Sequence, residues 1–101
     1  MASIEYDESA IEYLNEYPNA RVAAMNAVYR FLMAGDVDMA KITLRMVINM
    51  TCGFPAISKD VGRHPKSIMR MLTHDVDPGV RAFMSVVNAT KRQITATTKE
   101  V

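Results

Sequence analysis

A small all-α domain of five to six helices, containing a helix-turn-helix, is predicted by three observations on this 101-residue chain. Apolar residues recur at spacings of three and four, as at Met25, Val28, Tyr29 and Leu32, which is the period of a helix with one buried face. The two-residue alternation of a half-buried strand is absent. The four glycines and four prolines fall between the periodic stretches rather than inside them.

The first helix is expected from about Asp7 or Ser9 to Glu16, with Ile11 and Leu14 on one face and Pro18 ending it. Asn19 is read as the cap of the second, which Gly35 closes. Asp36 caps a third helix, in which Met39 or Ala40, Ile42, Thr43, Leu44, Met46, Val47 and Ile48 make a wide apolar arc. A helix apolar over so much of its circumference is expected to be central, touching several neighbours. Gly53 stops it, and Pro55 restarts the chain. Beyond the polar stretch Thr73 to Gly79, a last helix is expected with Val80, Phe83, Val86 and Val87 inward and Arg81 outward. Ile94 is placed against the core, and 95–101 is read as a frayed polar tail.

The stretch Ala56 to Leu72 carries the most information. Ile57 and Val61 precede the break Gly62-Arg63-His64-Pro65, and Ile68, Met71 and Leu72 follow it. Glycine allows a left-handed residue at the end of one helix. Proline in the first turn of the next gives up an N–H that has no intrahelical partner there. Two short helices so joined make the helix-turn-helix arrangement, whose second helix enters the DNA major groove. Arg70 leads the expected DNA-binding residues, because a guanidinium can pair bidentately with guanine O6 and N7. Lys66 and Ser67 are assigned to phosphates, His64 to capping the second helix or touching the DNA backbone, and Met69 to a thymine methyl. Lys59 and Arg63, with Lys41 and Arg45, are further phosphate candidates.

Net charge is only +1, but it is unevenly spread. Residues 1–19 hold five carboxylates and no lysine or arginine, whereas from residue 41 ten basic residues face four acidic ones. Such asymmetry is a hint of a nucleic-acid surface at one end. No apolar run approaches the ~18 residues of a membrane span, and no signal peptide is read at the start. One cysteine, Cys52, excludes an internal disulfide framework and fits a reducing cytoplasm, with the protein at the nucleoid when DNA is bound. Cys52 is read as a small buried side chain, and most of the nine methionines as core filler. His64, His74 and Cys52 lack the spacing of a zinc site. The stretch Asp75-Val76-Asp77-Pro78-Gly79 fails as a calcium loop, since Val86 stands where a bidentate glutamate is needed. No cofactor, metal or catalytic constellation is expected.

The run Lys66 to Leu72, with Pro78 six residues later and another amphipathic helix, resembles the HigA-type addiction-module antitoxins of the XRE/Cro-like helix-turn-helix group. Tyr6-Asp7, Tyr13-Leu14 and Gly35-Asp36 extend the resemblance, which covers roughly residues 6–90. It implies a lambda-repressor-like fold, with N-terminal helices over 6–35 and an XRE-like core over 36–90. It further implies an autorepressor that binds operator DNA as a homodimer and pairs with a RelE/HigB-like ribonuclease toxin. This chain departs from the family at Ser58, where alanine is usual, and at Arg63, where an apolar residue is. Two rivals stand beside the antitoxin: a phage-type repressor without a toxin, and a protein-interaction module that keeps the two helices as scaffold. The acidic start is a candidate surface for a dimer or toxin.

Overall fold

The computed structural model describes residues 18–99, and they form a compact all-helical body. The predicted helix over residues 7–16 lies outside the described residues, as do Glu100 and Val101. Five helices follow one another: α1 Pro18–Met33, α2 Val37–Met50, α3 Phe54–Val61, α4 Pro65–Met71 and α5 Val80–Lys99. Among the described residues there is no strand, and no helix is long and apolar enough to cross a membrane.

Pro18, Asn19 and Ala20 are all helical, so Asn19 lies within α1 and is not the cap expected of it. The turn into α2 is closed by Gly35, at φ 78°, and by Asp36, whose amide donates to Phe31 O at 2.8 Å. Asp36 then caps α2 as predicted, accepting from the Met39 amide at 3.1 Å.

Helix α2 packs chiefly on α1 and to a lesser extent on α3, while α5 packs on both α1 and α3. The core runs through Met25 and Val28, Leu44, Val47 and Ile48, Ile57, Ile68, and Phe83, Val86 and Val87. The expected arc of α2 is narrower than its composition suggests: Ile42 is 40 % exposed and Met39 is exposed too. The buried stripe instead runs through Lys41, Leu44 and Ile48, with a lysine where an apolar residue is the usual occupant. On α5, Val80 is 79 % exposed rather than inward. Helical side chains lean back over the turn preceding their own Cα, and the first residue of a helix leans past its end. Helix α5 also continues beyond Thr95 to Lys99, where a frayed tail was predicted. With no glycine or proline to stop it, each further residue adds a backbone hydrogen bond to an existing helix.

Candidate nucleic-acid interface

Helices α3 and α4 are joined by three residues, Gly62, Arg63 and His64. Gly62 is left-handed, at φ 72° and ψ 29°, and its amide donates to Ser58 O at 2.9 Å. The Ser58 hydroxyl donates to the carbonyl of Arg63. Ser58 thus ties the turn from the helix before it. His64 is extended and caps α4: its Nδ1 accepts from the Lys66 amide at 3.2 Å. In that arrangement Nδ1 holds the lone pair and Nε2 the proton. At the far end, the Arg70 carbonyl accepts both the amide and the hydroxyl of Thr73, at 3.1 and 2.7 Å.

Seven residues are too few for a helix to persist alone. Helix α4 is held by these end ties and by burial of Ile68 and Met71. Those two side chains fix its rotation. Lys66, Ser67, Met69 and Arg70 are all exposed: Lys66, Met69 and Arg70 point away from the core, and Ser67 lies at the edge, one turn before Met71. At 3.6 residues per turn Arg70 stands between Lys66 and Ser67, about 40° from one and about 60° from the other. The Arg92–Asp60 ion pair, at 2.6 Å, does not take up Arg63, Lys66 or Arg70. Asp60 is the carboxylate within the motif itself. It is engaged instead by Arg92 and by Gln93, at 2.6 and 3.3 Å, which ties α3 to α5. The Arg92 hydrogen bond holds the Asp60 carboxyl below its usual range.

Of the residues singled out in the sequence, Arg63, Ser67 and Arg70 come together. They line a shallow open groove of 260 Å³ together with Met71, Val76, Pro78, Gly79 and Ala82. Lys66 and Met69 share the exposed side of α4 but do not line that groove. Lys59 and Arg45 are exposed on α3 and α2. Lys41 is not a phosphate contact. It is 3 % exposed, and its ammonium donates to the carbonyls of Thr73, at 3.1 Å, and Val76. The signal was present in the period, because Lys41, Leu44 and Ile48 are three and four apart on one face. Ser58 was legible only as a small residue, since its role depends on where the Arg63 carbonyl lies.

Cys52 is half-buried, and burial pushes its thiol above the ordinary range, which lowers the reactive thiolate fraction. Among the described residues no group of three histidine, cysteine, aspartate or glutamate side chains is arranged to hold a metal. No protein-family model, curated protein or solved structure matches this chain.

Proposed function

We propose that this protein is a sequence-specific DNA-binding regulator that lays α4 in the major groove. The observation that carries this reading is the division of α4 into two sides. Ile68 and Met71 are buried, while Lys66, Ser67, Met69 and Arg70 are exposed, with Ser67 and Arg70 in one groove with Arg63. Arg70 reads guanine, Lys66 and Ser67 position phosphates, and Met69 meets a thymine methyl. His64 serves by shaping the start of α4, and Lys59 and Arg63 add charge toward the backbone.

One seven-residue helix reads few base pairs. A homodimer on half-sites about 34 Å apart is the arrangement that supplies enough contacts. The resemblance adds autorepression and a RelE/HigB-like ribonuclease toxin as partner, both part of this proposal. Co-expression of the chain with its neighbouring gene product tests the toxin; its own upstream DNA tests autorepression.

The decisive experiment is selection from a pool of random-sequence duplexes, followed by affinity measurements across a salt series. The expected result is one enriched sequence, bound with an affinity that falls steeply with salt. Arg70→Ala should lose about 1–3 kcal/mol of discrimination at one base position while its thermal melt stays in place. Absence of any enriched sequence sinks the reading. A second reading, a protein-interaction module, is favoured by the exposed apolar side chains of Met33, Val37, Met39 and Ile42 around the α1–α2 corner. Charge reversal at Lys66 and Arg70 separates the two, because it abolishes DNA binding and leaves a protein partner bound.

A further inference from the structure

Lys41 is a buried charge that the exposed face of α4 does not use. Its ammonium reaches 32 and 35 residues along the chain to the carbonyls of Thr73 and Val76. Both partners are neutral carbonyl oxygens, so the charge itself is not cancelled there. Taking an ammonium out of water is costly, and methionine fills the same slot without that penalty. What lysine alone supplies at this length is a set of donors for two carbonyls of one loop.

That loop lines the same groove as α4. Thr73 stands two residues after the end of α4 and hydrogen-bonds back to the Arg70 carbonyl. The Val76 amide donates to Thr73 O at 3.3 Å, and Val76, Pro78 and Gly79 line one groove with Arg63, Ser67 and Arg70. One turn before Lys41 on the same helix, Asp38 stands 3.4 Å from His74 Nδ1, with both side chains largely exposed. The loop therefore stands where α2 holds it. We infer that Lys41 is a positioning residue for the DNA-binding face, setting the distance between the 73–79 loop and α4 and so the fit of DNA along the groove.

This inference rests on the DNA-binding reading, and its test has two readouts. Amide exchange followed by NMR reports the loop; the affinity ratio between the wild-type-selected duplex and a scrambled duplex reports the fit. In Lys41→Met, the Val76 amide and its loop neighbours should exchange about tenfold faster or more, while amides at Val47 and Val87 keep their rates relative to one another. The affinity ratio should fall about tenfold, and Lys41→Arg should restore part of both effects. Where Lys41→Met does not fold, Lys41→Gln, uncharged and one bond shorter but still a donor, is expected to move both readouts the same way.

An unchanged loop in a folded variant overturns the tether. A loosened loop with an unchanged affinity ratio overturns the positioning role and leaves the DNA reading standing. A wild-type protein that prefers no duplex overturns both.

Discussion

Helices α2 and α4 lie on either side of the chain segment that builds α3, and they keep their shape by different means. Helix α2 has fourteen residues and a buried stripe that includes Ala40, Leu44, Val47 and Ile48. Helix α4 has half that length and two buried side chains, and it relies on ties at its ends: His64 before it, Thr73 after it, and Ser58 across the turn. The first is secured by packing and tolerates exposed surface changes. The second is secured by a few hydrogen bonds that other elements set up. Burial fixes where a helix lies, and end ties fix how a short one is presented.

Three perturbations sharpen that contrast, in falling order of effect. Leu44→Ala empties a fully buried position in α2 and should cost about 2–5 kcal/mol of global stability in urea melts. A cost much below that range would mean that α2 is not the packed element described here. Gly62→Ala forces a Cβ into the left-handed region at the turn into α4, where no neighbouring atom lies within 4 Å. The expected cost is about 1 kcal/mol, purely conformational, with amides of α4 exchanging faster relative to those of α2. Equal loss in both helices would show that the two are not separately secured.

Asp60→Asn has the smallest expected effect and depends on pH. Because the Arg92 hydrogen bond lowers the Asp60 pKa in the folded state, its contribution is fully present above the unfolded carboxylate value of about 3.9. It is lost as pH falls through the lower folded value. The difference in Tm between wild type and Asp60→Asn should therefore be constant near neutrality and close in acid. A gap that widens in acid would contradict the Arg92–Asp60 tie.

The same contrast explains what could be read from the sequence. Periodicity placed α2 to α5, because burial is periodic and leaves its mark at Leu44, Val47 and Ile48 or at Phe83, Val86 and Val87. The turn at Gly62 and the cap at Asp36 were legible from local chemistry. Hydropathy misplaced Ile42 and Lys41, since it ranks a lysine below an isoleucine whichever one has a partner inside. Ser58, Thr73 and the loop carried no signal, because their bonds join atoms whose proximity exists only after folding. The exposed side of α4 was predicted in its residues, Lys66, Ser67, Met69 and Arg70, while the groove beside it was not.

The two-sided build of α4 also bears on how such a protein can change over generations. Residues that anchor the helix, Ile68 and Met71, are separate from those that are exposed, so replacing Lys66, Ser67, Met69 or Arg70 leaves the two anchors in place. Whatever α4 meets can be exchanged one exposed position at a time, through intermediates that all remain folded. A descendant lineage could acquire a new target without passing through an unstable ancestor, and an engineer could randomise those four positions on an otherwise constant scaffold.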